Sequence, residues 1–102
     1  LQCGPVVLDP STQRVTLSEQ EIELTAYEYK VIEYLMVHAG EVVSKSVLTE
    51  HLYDDEGDRD SNVIEVFIRR LRQKLDPDDS LQPIETLRGR GYRFTLEPAK
   101  VN

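Results

Sequence analysis

Residues 61–75 read Ser61-Asn62-Val63-Ile64-Glu65-Val66-Phe67-Ile68-Arg69-Arg70-Leu71-Arg72-Gln73-Lys74-Leu75. On a helical wheel at 100° per residue with Ile64 at the origin, Phe67, Ile68, Leu71 and Leu75 all fall within about 60° of it. This is a stripe built for a core. Asn62, Val66, Arg69, Arg70 and Gln73 fall between about 140° and 240°, on the opposite side. A merely solvated helix would carry Glu and Lys there. This one carries hydrogen-bonding forks and one exposed apolar residue.

Outward from this helix, Asp60 or Ser61 is placed to cap its start, and Asp76-Pro77-Asp78-Asp79 stops it. Ile84–Leu87 and Tyr92–Leu96 then read as the strands of a hairpin, with Gly89 and Gly91 supplying the turn. Upstream, residues 5–24 alternate with period two in three short strands, at Val6–Leu8, Arg14–Leu17 and Glu21–Leu24. Asp9-Pro10-Ser11 and Ser18-Glu19-Gln20 form the turns between them. At Thr25 the period changes. Thr25-Ala26-Tyr27-Glu28 is a capping box, with Leu24 and Tyr29 as its hydrophobic staple. Tyr29, Ile32, Leu35, Met36 and Ala39 form the buried stripe of this helix, and Tyr27, Val31 and Tyr34 a second one. Gly40 ends it. Val42-Val43 is long enough for a bridge or a short strand. Ser44 caps a second helix, Lys45 to about Leu52, stapled by Val43 and Leu48. The order is strands, helix, helix, polar loop, long helix, hairpin. It predicts an α+β fold: a winged helix-turn-helix with an N-terminal antiparallel β-sheet, three helices and a C-terminal β-hairpin wing.

The 102 residues bound one domain with a single modest core. Formal charge is −7, which argues against a nucleic-acid partner until its distribution is examined. Between Asn62 and Phe94, seven bases (Arg69, Arg70, Arg72, Lys74, Arg88, Arg90, Arg93) meet five acids (Glu65, Asp76, Asp78, Asp79, Glu85). That stretch is therefore +2 and the remainder −9. Either basic cluster alone would be a salt-bridged solvent face; both in one C-terminal unit point to duplex DNA. The competing reading is a winged helix used only as a protein-interaction module, which the acidic balance permits.

No apolar run approaches the ~18 residues of a membrane helix. The lone cysteine, Cys3, fits a reducing cytosol and a cytoplasmic protein. His38 and His51 lack companions at metal-ligand spacing, so neither a metal nor another cofactor is expected. No nucleophile–base–orienter set suggests an enzyme. The chain begins at Leu1, without a signal segment, and is expected to be the C-terminal piece of a longer protein.

Four motifs, Leu24-Thr25-Ala26-Tyr27-Glu28-Tyr29, Gly40-Glu41-Val42-Val43-Ser44-Lys45, Val66 to Leu75 (VFIRRLRQKL) and Thr86 to Phe94 (TLRGRGYRF), occur here in order and at fixed spacing. In these the chain resembles the C-terminal effector domain of OmpR/PhoB-type two-component response regulators, across residues 4 to 96. The PhoP/QseB-like branch is the most similar. The resemblance implies a bacterial transcription factor whose N-terminal receiver domain, absent from this chain, carries the phosphorylated aspartate. It also implies homodimers arranged head-to-tail on direct-repeat half-sites. Phe67 stands where some relatives place a polar residue on phosphate; as part of the core stripe it is given no DNA role.

The chemistry assigns expected contacts. The third helix should enter the major groove with its N-terminal half nearest the bases. Asn62 is suited to adenine, Arg69 or Arg70 to guanine, and Val66 to a thymine methyl. Arg70 is the favoured base reader, with Arg72 nearer the backbone. Arg88 and Arg90 flank the hairpin tip, and a narrow minor groove attracts inserted arginine. The residues alone leave these two tied, whereas the resemblance points to Arg88. Thr86, Tyr92, Lys45 and Tyr53 are candidate phosphate donors, while Ser44 is read as a cap. The acidic loop with Asp54, Asp55, Glu56 and Asp58 would be repelled by DNA. In the family the corresponding loop touches RNA polymerase, which implies a contact with a basic surface of its sigma or alpha subunit.

Overall fold

The structure, a computed structural model, describes residues 1–52 and 62–98, without the side chain of Asn62. Its elements are β1 (Gln2–Cys3), β2 (Val6–Asp9), β3 (Arg14–Leu17), β4 (Gln20–Ile22), α1 (Ala26–Val37), β5 (Val42–Val43), α2 (Lys45–Leu52), α3 (Asn62–Leu75), β6 (Ile84–Leu87) and β7 (Gly91–Phe94). Strands β1 to β4 form an antiparallel sheet in sequence order. A second sheet has the order β5-β7-β6, also antiparallel. The expected winged-helix architecture is present.

Short-range chemistry sets the N-terminal meander. Asp9 Oδ1 accepts from the Ser11 amide at 3.1 Å and hydroxyl at 2.7 Å, which turns the chain after β2. Ser18 and Glu19 both take positive φ, the conformation a two-residue hairpin needs. Leu17 therefore pairs with Gln20, and β4 runs Gln20–Ile22 rather than the expected Glu21–Leu24. Val6, Leu8 and Val15 point inward, whereas Val7, between two of them, is exposed.

The capping box of α1 is complete. Glu28 N–H donates to Thr25 Oγ1 at 3.2 Å, and Thr25 N–H to Glu28 Oε1 at 2.9 Å. Tyr29, Val31, Ile32, Leu35 and Met36 are buried. Of the expected second stripe, Val31 is buried and Tyr34 half-buried, but Tyr27 is 43% exposed. It lies in the first turn of α1, with the Phe67 ring 5.8 Å away between centroids and Lys30 Nζ over its face. For α2, Ser44 Oγ accepts from the Val47 amide at 3.1 Å, so Ser44 is the cap it was read to be. The wheel of α3 holds: Ile64, Phe67, Ile68, Leu71 and Leu75 are all buried in the shared core.

The wing is a three-stranded unit. Val42 pairs with Arg93 and Val43 with Tyr92, tying the segment before α2 to the hairpin. Its inner strand begins at Gly91, one residue before the expected Tyr92, because Gly91 already pairs with Leu87. Only glycine fits there. Its φ is +140°, and an added Cβ would come within 2.1 Å of the Val43 carbonyl oxygen. At the tip, the Arg90 amide donates to Leu87 O at 2.9 Å across a turn whose third residue, Gly89, has φ +73°.

Candidate nucleic-acid interface

Three elements converge on one groove of about 550 Å³. Lys45 enters from the start of α2, Glu65, Ile68 and Arg72 from one flank of α3, and Thr86 to Tyr92 from the wing. Both basic clusters thus contribute side chains to a common concavity. The arrangement follows from the wheel: Ile68, Arg72 and Glu65 occupy the arc between the core stripe and the outward face. The opposite flank of α3 meets α1, where Phe67 lies beside Tyr27 and Lys74 Nζ donates to Glu28 Oε1 at 2.6 Å. The arc carrying Arg69, Arg70 and Gln73 lies between these two contacts, exposed.

The cations divide sharply by partner. Arg72 forks onto its own fold, donating through Nη2 to Ile84 O at 2.9 Å and to Thr86 Oγ1 at 2.6 Å. Lys74 is bound to buried Glu28, Arg93 pairs with Glu85 across the hairpin, and Lys45 pairs with Glu65. Arg14 pairs with Glu21, and Lys30 lies over the Tyr27 ring. The side chains of Arg69, Arg70, Arg88 and Arg90 are exposed, and their guanidiniums make no ion pair or hydrogen bond among the described residues. Folding uses the other described lysines and arginines and leaves these four guanidiniums facing solvent.

Two expected phosphate donors sit differently. Tyr92 is 4% exposed, belonging to the core as well as to the groove lining. Burial pushes its phenol pKa up and Glu65 pushes the same way, while Lys45 and Arg72 pull it down. Thr86 has its hydroxyl engaged by Arg72. Val66, within the outward arc, is half-buried. Tyr53, Asp54, Asp55, Glu56, Asp58 and the side chain of Asn62 lie outside the described residues.

The sequence reading missed Glu65. It lies one helical turn after Asn62 and one before Arg69, and it is the one carboxylate among the described residues lining the groove. Its hydrogen bond holds the Lys45 pKa above the ordinary lysine value, against slight desolvation. As the single acid in α3, it was the available signal. Two further features organise the site from beneath. The Asp76 carboxylate accepts from the amides of Leu81 and Gln82, both at 2.8 Å, setting the chain's path from α3 into β6. Arg72 then fastens β6 to α3.

Known proteins resemble this chain in sequence and fold. Residues 19–94 match the family model described as "Transcriptional regulatory protein, C terminal". The two-component response regulator PhoP of Pseudomonas aeruginosa is 50% identical over 95 residues, covering 93% of this chain and 42% of the relative. The response regulator protein PmrA of the same organism is 44% identical over 89 residues, covering 87% and 38%. The chain thus spans about two-fifths of the length of these relatives. Among solved structures, the Klebsiella pneumoniae RstA DNA-binding domain in complex with the RstA box superposes with a TM-score of 0.81 at 28% identity, covering 93% of this chain and 95% of that one. The DNA-binding domain of CpxR from E. coli gives 0.81 at 32%, covering 93% and 94%. On these grounds the chain belongs to the family of C-terminal effector domains of OmpR/PhoB-type transcriptional regulatory proteins.

Proposed function

We propose that this domain binds double-stranded DNA sequence-selectively as the output module of a two-component response regulator. α3 enters the major groove and the β6–β7 wing reaches the adjacent minor groove. The observation that carries the reading is the division of cations: Arg69, Arg70, Arg88 and Arg90 face solvent, and the groove between α3 and the wing opens beside them. Unpaired arginine is a poor choice for a surface that only folds and a good one for phosphates and guanine edges. Arg69 and Arg70 are assigned to base edges and phosphate, with Val66 and Asn62 as neighbouring base contacts. Arg88 and Arg90 are assigned to the minor groove, Lys45 and Tyr53 to the backbone. Thr86 and Arg72 act from behind, since their polar groups bind each other.

The same reading extends to the longer protein. A phosphorylated receiver would control homodimers on direct-repeat half-sites in the bacterial cytoplasm, where duplex DNA resides. The acidic segment 54–60 is assigned to a basic surface of the RNA polymerase sigma or alpha subunit, supported by its charge and by the resemblance. Reversing Asp55 and Glu56 to Lys should lower transcription while DNA affinity holds or rises. Undiminished activation would remove that assignment.

The primary test is selection from random duplexes followed by titration across salt. Affinity should fall by roughly 0.9 log units per log unit of salt for each phosphate neutralised. Half-sites should recur about one helical turn apart in the sequences selected by the full-length protein. Salt-independent binding, or no enrichment, would instead favour a protein-interaction module.

A further inference from the structure

The DNA reading leaves one groove residue without a role. Glu65 is a half-exposed carboxylate in a groove whose other charged lining residues are Lys45, Arg72, Arg88 and Arg90. A carboxylate facing phosphate weakens binding to every sequence. It lies on the N-terminal half of α3, the half placed nearest the base edges, beside Asn62 and Arg69 on the helix surface. Its present partner is Lys45 Nζ, at the start of α2, itself a side chain suited to phosphate. Both members of the pair are substantially exposed, at 42% for Lys45 and 54% for Glu65, so the pair adds little to folding and separates easily.

We propose that Glu65 is a specificity-determining residue that works by exchange of partners. In the free domain Lys45 neutralises it. On a duplex Lys45 moves to a backbone phosphate, and the freed carboxylate requires a new donor. Only an exocyclic amino group in the major groove, that of cytosine or adenine, supplies one. Where the base beneath presents a carbonyl oxygen instead, two acceptors face each other and the complex is weakened. Glu65 therefore enforces sequence preference largely by rejecting wrong sites. Binding energy from the arginines is similar on all sequences; this acid makes it conditional.

The inference rests on the DNA-binding reading, and the experiment separates the two. Duplexes are selected with the wild-type chain and with Glu65→Gln, which keeps shape and removes charge. Affinities are then measured on the wild-type motif and on an unrelated duplex. Glu65→Gln should bind the unrelated duplex several-fold more tightly and the motif less tightly, narrowing the ratio by roughly tenfold, with preference relaxed at one base pair. Lys45→Met is the opposing control. Leaving Glu65 unneutralised, it should weaken the unrelated duplex more than the motif and widen the ratio. The proposal is overturned if Glu65→Gln selects an unchanged motif. It is equally overturned if both affinities fall by the same factor with a lower melting temperature, the behaviour of a helix brace. A wild-type chain showing no salt-dependent duplex binding would sink the underlying reading as well.

Discussion

Nζ of Lys74, in the last turn of α3, lies 2.6 Å from Oε1 of Glu28, in the first turn of α1. The same oxygen accepts the Thr25 amide that begins α1, so one carboxylate caps one helix and anchors another. Glu28 is 1% exposed. Burial pushes its pKa up, but the Lys74 ammonium and the Thr25 amide and hydroxyl outweigh this and hold it below the ordinary value.

Glu28→Gln should therefore cost about 2 kcal/mol of stability near neutrality, the scale of a hydrogen bond to a charged group. A lowered folded pKa contributes stability that is fully present above the unfolded value, about 4.3, and is lost as pH falls through the folded value. Denaturant melts at pH 7 and pH 3 check this. The gap between wild type and variant should be wide at the first and narrow at the second.

Gly91→Ala should disrupt the wing at its root. The new methyl would sit 2.1 Å from Val43 O at a φ of +140°. Either β5 separates from β7 or the backbone twists, at a cost of about 3 kcal/mol. Amide exchange should accelerate at Val43 and Tyr92 before it does in α1.

Arg72→Lys tests whether that arginine serves the fold. A lysine cannot fork between Ile84 O and Thr86 Oγ1, so stability should fall by about 1 kcal/mol. Charge is conserved, so the salt slope of DNA binding should be preserved while affinity drops through a loosened wing. In Arg72→Met, which removes the charge, a slope reduced by about one phosphate would instead show that Arg72 touches the backbone directly.

Arg70→Ala and Arg88→Ala should separate the two grooves. The first should relax preference at one base position and cost on the order of 1–3 kcal/mol on the selected site. The second should weaken binding chiefly where the minor groove is AT-rich. Neither residue supports the fold through an ion pair among the described residues, so melting temperatures should stay near wild type. Equal losses on every sequence would mean that neither reads sequence.

What the sequence revealed depended on how local the cause was. The capping box, the Ser44 cap and the core stripe of α3 are set within one or two turns, and each was legible in residue order. The pairing of Val42-Val43 with β7 was not, because two residues carry no period and their partner lies some fifty positions on. The strand Gln2–Cys3 escaped for the same reason. Arg72 was read as a DNA contact near the backbone because charge alone does not reveal the Ile84 carbonyl that its guanidinium binds. Glu65 was passed over because a lone acid among bases looks like routine balance until its neighbours are known. The exposure of Tyr27 reflects its place at a helix end, where the wheel overstates burial.

The antiparallel register of Val42 with Arg93 and Val43 with Tyr92 has a mechanical corollary. The strand that introduces α2 is stitched directly to the strand that ends the hairpin, while Arg72 ties α3 to the other strand, so helix and wing are braced from two sides. Such a tool is a caliper with a fixed gap. On the proposed DNA-binding reading it would measure the spacing from one groove to the next, and a duplex whose helical pitch or bend departs from that gap would itself have to deform to be held.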